Sequence, residues 1–492
     1  MMPRILLFIS LLFYGANAIS QLSGNNHMEF QLGNLPGSDP RDLTTHYNQL
    51  NLQYRYRSLT AGIRYEHFYS QNTASSYNRL TQYNVKYRNK GLEIEVGNFI
   101  GILGNGLLLR AYEIPGSVFE AQSYRSRYGF YRDLRGVSVK YNGKVGYAKA
   151  LRGKTLANVF PPLIEESDRR PDLTEGIETG LNFFGQTAGL VFMRNTNITD
   201  QEQFYSLLFS GNLSAFVSYN FEFAHNIENQ TPLFALSEDA RYGIYSSLNF
   251  SLGTFGLSLE YKDYHDLLIG SGISDPPTLV KEHKYKLLNR SIHVPQYVDE
   301  SGTQVEAYYS FPRGTRLLLN YTRAVNEFAS SYVFREFFAE IGFDAGSRNT
   351  VTLFADYSEE PIRLEDHRYT GGMIWELELS GGHSTLLEFE YQAIERSLLG
   401  GQVYQNMVVV AGWSKSPKTS VSLTWEYSTD INVTGGDPQR NWFGVDVSHK
   451  IDQRNTVTLF AGQRRGGPAC TSGICYEVLD FEGVEVRLKT RF

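Results

Sequence analysis

The chain has 492 residues, a formal net charge of −6 and only two cysteines, Cys470 and Cys475. So mild a charge, with no clustered basic face, gives no reason to expect nucleic acid as a partner. After the first 18 residues no run approaches the roughly 20 apolar residues of a membrane-spanning helix, so this chain does not cross a bilayer as helices.

The N-terminus reads as a signal peptide. Arg4 is a short positive region, Ile5 to Tyr14 an apolar one, and Ala16-Asn17-Ala18 a small-residue cleavage site. This divides the chain into a signal peptide over 1–18 and a single domain over 19–492. No Cys follows the cleavage site, so lipoprotein processing is not expected.

From there, period-2 alternation marks about 24 strands of roughly 8 to 13 residues, the length a tilted strand needs to cross a bilayer. About 22 result if Leu107 to Glu113 or the stretch before Asp480 pairs differently. Even-numbered strands end in tight polar turns, such as Asn142 to Lys144, Gly185-Gln186, Gly211-Asn212, Gly253-Thr254 and Asp452 to Asn455. Odd-numbered strands end in longer connections, among them Asn34 to Thr44, Ile100 to Asp133, Gly153 to Leu173, Asp266 to Ser301 and Thr429 to Gln439. Short periplasmic turns and long extracellular or inward-folded loops are the asymmetry of a transmembrane antiparallel β-barrel, and the predicted class is all-β of that kind.

Alternation also assigns faces. Leu92, Ile94 and Val96 oppose Glu93 and Glu95; Leu387 and Phe389 oppose Glu388 and Glu390; Leu423, Trp425 and Tyr427 oppose Thr424 and Glu426. The apolar set must face lipid, since a charge there costs on the order of a few kcal/mol. The 33 Tyr and 31 Phe supply two girdles. Tyr56, Tyr87 and Tyr141 fall at the short-turn ends, and Tyr261, Tyr321, Tyr357, Tyr391 and Tyr427 toward the long-loop ends. At the C-terminus Val484, Val486, Leu488, Thr490 and Phe492 alternate with charges, and the chain stops at the aromatic. That ending resembles the strand read by the outer-membrane barrel assembly machinery. The expected location is the cell outer membrane, with its lipid and that machinery as partners.

A barrel this wide leaves an aqueous lumen unless something fills it. Residues 19–44 are too few for a separate plug domain, but two internal connections are long, apolar and glycine-bearing rather than disordered. The first carries Leu103-Gly104, Gly106-Leu107-Leu108, Arg110 and Tyr112-Glu113. The second carries Asp275-Pro276-Pro277, Leu279-Val280, Glu282-His283, Leu287-Leu288-Asn289-Arg290 and His293-Val294. These stretches resemble the "FG.GLL.R.YE" and "DPP.LV.EH…LLNR..HV" motifs of an uncharacterised family of Bacteroidota outer-membrane barrels, with Leu103 where the family has Phe. The resemblance implies an outer-membrane barrel of that phylum and no particular substrate. Both segments are expected to fold inward and narrow the lumen, with Arg110, Glu113, His283, Asn289, Arg290 and His293 as lining residues; an extracellular cap is the alternative.

The wall itself is predicted to be electrically divided. Early strands and the last one place Arg55, Arg57, Arg64, Lys86, Arg88, Lys140, Arg487, Lys489 and Arg491 inside, while later ones place Glu340, Asp356, Glu376, Glu378, Glu388, Glu390, Glu426 and Asp446 there. Facing arcs of opposite sign would orient polar solutes; local pairing is the alternative. Cys470 and Cys475 share the last long connection and fit a loop disulfide in an oxidising compartment. No phosphate-binding glycine loop and no metal-spaced His pair occurs, so neither cofactor nor metal is expected. Asp366-His367 sets an acid beside a base, an adjacency common by chance and too little for an enzyme. The function expected is a narrowed or plugged channel for uptake of polar solutes; the alternative is a non-conducting docking barrel with a surface or periplasmic protein partner.

Overall fold

The computed structural model describes residues 21–72, 75–121, 125–157, 169–227, 232, 234–236, 240–294, 298–327, 331–397, 400–471 and 474–492. The signal peptide lies outside them.

Twenty-four antiparallel strands form one closed sheet. The first, Leu22–Asn34, pairs on one side with Thr44–Tyr56 and on the other with the last, Phe481–Arg491, in a register that sets Asn25 opposite Arg491 and Asn34 opposite Glu482. No strand edge is left open among the wall strands, which is the condition for β-structure in lipid.

Strand polarity follows the alternation. Along Gln186–Thr196, Val191 and Met193 are fully buried inside, while Leu190 and Phe192 are 48% and 42% exposed outside. Along Leu22–Asn34, His27, Glu29 and Gln31 point in and Phe30 and Leu32 point out. An apolar band exposed around the whole circumference would be untenable in water and is what a bilayer solvates. Tyr56 and Tyr141 stand exposed at one end of the band and Tyr261 and Tyr321 at the other, as the girdle pattern predicts.

Two details of the loop rhythm differ. Strand Gln201–Ser214 runs through Gly211-Asn212 and turns at Ala215-Phe216 instead, with the extra residue absorbed in a bulge between Asn212 and Ser214. Not every long-loop end is long, either. Asn197–Asp200 closes a hairpin tightly because the Asn197 Oδ1 accepts from the amides of Thr199 and Asp200, an Asx turn.

Several connections leave the wall and return to the point they left, and three of them carry the inward segments. Phe99 pairs with Leu134, His265 with Asp299 and Arg464 with Phe481, so the segments 100–133, 266–298 and 465–480 are excursions from single hairpins. The first forms two small hairpins, Ile102–Leu103 with Leu109–Arg110 and Tyr112–Ala121 with Ser126–Arg132; the second contains one helical turn, Lys286–Asn289; the third is the hairpin Gly467–Thr471 with Ile474–Val478. Cys470 and Cys475 stand opposite each other in that last hairpin, and their side chains lie outside the described residues.

Placing a charge on the lipid face tests the orientation. Leu259→Arg, on the outward row between Phe255 and Tyr261, is expected to cost about 2–4 kcal/mol in bilayer folding titrations, and Glu260→Arg on the inward row much less. A larger cost for Glu260→Arg than for Leu259→Arg would mean the faces are reversed.

Candidate functional site

The interior is the candidate site, because the excursions turn into the barrel. Leu103, Leu107, Leu108 and Leu109 have no exposed surface and pack on Leu134, Leu151, Val191, Met193 and Phe204 of the inner wall, together with Leu267, Ile269 and Ile273 of the second excursion. Burying each such side chain contributes about 1.5–3 kcal/mol. The two motif segments therefore share one apolar core inside the wall. Gly104 shows why this approach favours glycine: its φ is +57°, and a Cβ there would meet the Glu222 carboxylate. In the space a side chain would take, the Gly104 and Asn105 amides donate to Glu178 and Glu222 at 3.0 and 2.6 Å.

The second excursion is held at more points. The amides of Lys286 and Leu287, at the start of the helical turn, donate to the two oxygens of Glu390, both at 2.8 Å. Tyr285 stacks on Phe354 at 3.6 Å and donates to Glu340 at 2.5 Å. Leu287 packs between Val408 and Val410. Arg290 donates to Glu426 from both terminal nitrogens, at 2.5 and 3.2 Å, and to the Arg465 carbonyl. Arg363 of the rim reaches back to the carbonyls of Arg290 and Ile292.

His293 is the centre of a buried ionic chain. Its Nδ1 lies 2.6 Å from Glu360 and its Nε2 3.2 Å from Glu300, which also pairs with the fully buried Lys262, and the ring stacks on Phe334 at 4.5 Å. Burial pulls the imidazole pKa down, but the hydrogen bonds and charges of Glu300 and Glu360 outweigh it and lift it to about 9.

The six residues predicted to line a lumen also fasten the segments, and Glu113 is in the lining of the polar cavity at the short-turn end. Glu113, His283, Arg290 and His293 reach the wall, at Arg64, Glu336, Glu426 and Glu360 respectively. Arg110 pairs with Asp275 of the other excursion at 3.5 Å, and Asn289 donates to the His283 carbonyl at 2.9 Å, so these two tie the inward segments to themselves. In the wall, several of the charges assigned to the two arcs pair locally. Lys86 pairs with Glu95 at 2.8 Å, Arg88 with Glu93 and Arg487 with Glu29 between adjoining strands, and Arg487 also pairs with Glu485, two residues before it on its own strand. On the acidic side Glu390, Glu426 and Glu340 are engaged by the second excursion. Opposite charges a few ångströms apart offset each other locally. Arg55 and Glu378 are exposed near the short-turn end, and Glu388 is half-buried beside Glu390. Asp366 and His367 point to separate partners, the Ser397 amide and the Tyr357 hydroxyl.

Lys262, Glu300, Glu336 and Glu360 were not foreseen as functional. They sit on inward rows like dozens of others, and only the arrival of the excursion distinguishes them. The third excursion was also missed: Ile474 and Tyr476 pack on Ile114 and Phe130 of the first. What remains of the interior at the short-turn end is a polar cavity of about 670 Å³, lined among others by His27, Arg64, Lys86, Glu95, Lys140 and Lys489.

Residues 8–155 match the sequence profile of a family of unknown function (DUF6029), a stretch that includes the first motif and stops short of the second. No curated protein matches the chain in sequence. Among solved structures, the chain is similar to the P pilus usher (PapC) translocation pore, at 10% identity, 96% of this chain, 99% of that one and a TM-score of 0.48. It is also similar to the siderophore receptor PirA from Pseudomonas aeruginosa (10% identity, 96% and 80%, TM-score 0.41) and to OccK5 (OpdH) of the same organism (12% identity, 75% and 97%, TM-score 0.39). At these scores the barrel rests on its own strand pairing, not on the likeness.

The His293 chain has a signed pH dependence. Because the folded pKa of about 9 lies above the ordinary 6.5, its contribution is complete below about pH 6.5 and is lost as the pH rises through 9. The unfolding temperature of the wild-type barrel is expected to fall between pH 7 and 10, and that of His293→Gln to fall less. His293→Ala, which strands Glu360 inside, is expected to cost on the order of 3–5 kcal/mol. Parallel pH profiles for wild type and His293→Gln would refute the assignment.

Proposed function

We propose that this chain is an outer-membrane barrel of the Bacteroidota type its motifs resemble, and that it acts as a plugged channel for uptake of polar solutes. The observation that carries the reading is the way the interior is filled: two excursions from the long-loop side occupy it, and the second is bound to the wall largely through hydrogen bonds and ion pairs. Contacts of this kind depend on charge state and can be replaced by water if the segment moves as a whole, whereas a wholly apolar plug would expose its leucines. The polar cavity left at the short-turn end suits hydrated solutes and disfavours apolar ones. Lipid contacts the apolar band, and the strand ending at Phe492 is the segment we assign to the barrel assembly machinery.

The dry leucine cluster around Leu107 and Leu108 favours a second reading, a non-conducting barrel that docks a surface or periplasmic protein. Neither reading makes the chain an enzyme.

Single-channel recording in planar bilayers, wild type beside a deletion of 274–294, separates the two. The plugged channel predicts a wild type that is closed or narrowly conducting and a deletion variant that conducts several-fold more. A folded deletion variant that stays silent would leave the docking barrel, to be pursued by isolating its partner.

A further inference from the structure

We propose that His283, Glu336 and Asp356 bind a divalent transition-metal cation, Zn2+ or Mn2+ by their chemistry, which latches the second excursion to the barrel wall. The proposal does not depend on whether the barrel conducts.

The three residues come from three parts of the chain. Glu336 lies on strand Tyr332–Asp344 and Asp356 on its neighbour Asn349–Glu360, where the register sets Glu336 opposite Ser358 and Phe338 opposite Asp356. The two carboxylates are therefore diagonal neighbours on one inward-facing patch. His283 is delivered from above by the excursion, its ring held edge-on against Phe338 with centroids 4.7 Å apart. One ligand atom from each residue lies within 4.8 Å of the other two. All three side chains are more than nine-tenths buried.

Their hydrogen bonding is incomplete in a way that points to a ligand. His283 Nε2 is 3.2 Å from one Glu336 oxygen and Ser358 donates to one Asp356 oxygen at 3.4 Å, but His283 Nδ1, Glu336 Oε2 and Asp356 Oδ2 have no hydrogen-bond partner. Buried polar atoms left in this state each cost about 1–3 kcal/mol. One cation would satisfy several of them together. Elsewhere inside the barrel, Glu300, Glu390 and Glu426 all find a cationic side chain or backbone amides; this pair of carboxylates meets an imidazole.

The positive charge on the next strand does not complete the site. Arg368 offsets part of the charge of Asp356 and Glu336, yet its Nη1 is given to Glu365 at 2.7 Å. Two carboxylates and one imidazole form a donor set that suits Zn2+ or Mn2+ and is poor for Ca2+, which takes six to eight oxygens. A proton shared by Glu336 and Asp356 is the competing way to neutralise the patch.

The test uses the full barrel purified in detergent, stripped with chelator and dialysed against Zn2+ or Mn2+. It is made in a His46→Ala background, because His46 and His67 pair on the outer face with rings 5.5 Å apart and offer a surface site. Expected are about one bound equivalent by elemental analysis and a raised unfolding temperature. Glu336→Gln and Asp356→Asn keep the shape of each side chain, and each should lower metal affinity about tenfold or more and abolish the thermal shift while the barrel still migrates as folded. Retention of one equivalent in the Glu336→Gln/Asp356→Asn double variant would overturn the proposal. So would a folded wild type that takes up no metal and is stabilised by either single substitution, the result a shared proton predicts.

Discussion

Everything in this molecule depends on the demand that lipid makes of the backbone. Hydrocarbon offers no hydrogen bonds, so each strand must find a partner on both sides, and the register between Leu22–Asn34 and Phe481–Arg491 is what completes the ring. Closure in turn fixes which residues face out. A slip of one position would carry Glu29 or Glu485 into the bilayer, so the outward apolar rows and the ring enforce each other.

Closing 24 strands creates a second problem, a bore too wide for wall side chains to fill. The chain solves it with hairpin connections that turn inward rather than with a separate domain. Because each excursion leaves and rejoins the wall at one paired position, it can be long without disturbing the sheet. Its apolar residues bury one another in the Leu103 to Ile273 cluster, while its polar ones meet the carboxylates of the inward rows.

Those meetings are buried ion pairs and charge-assisted hydrogen bonds, which add little net stability but penalise misplacement strongly. Arg290 on Glu426, the Lys286 and Leu287 amides on Glu390, and His293 between Glu300 and Glu360 thus define where the second excursion sits. A segment positioned by polar contacts can be specific in place and still be released by a change in charge state, unlike one held by leucines alone. The two excursions divide these roles: the first contributes most of the apolar cluster and the second most of the ionic fastening.

The strand number and the facing of each row were legible in the sequence, because each rests on local alternation; the composition of the two motif segments fitted inward folding and an extracellular cap alike. The turn at Ala215-Phe216 was not legible, since Gly211-Asn212 is the better turn sequence and only pairing with Val217–Asn226 moves the reversal. Nor was the use made of the charges. Lys86 and Glu95 look in the sequence like members of two opposed arcs, and Lys262 and Glu336 like any inward residue. Pairing is decided by distances of a few ångströms between residues far apart in the chain, for which no local pattern exists. The sequence by itself determined the barrel, because alternation is a property of neighbouring residues. Only the tertiary structure decided which carboxylate meets which base, because that depends on where an excursion lands inside the closed wall.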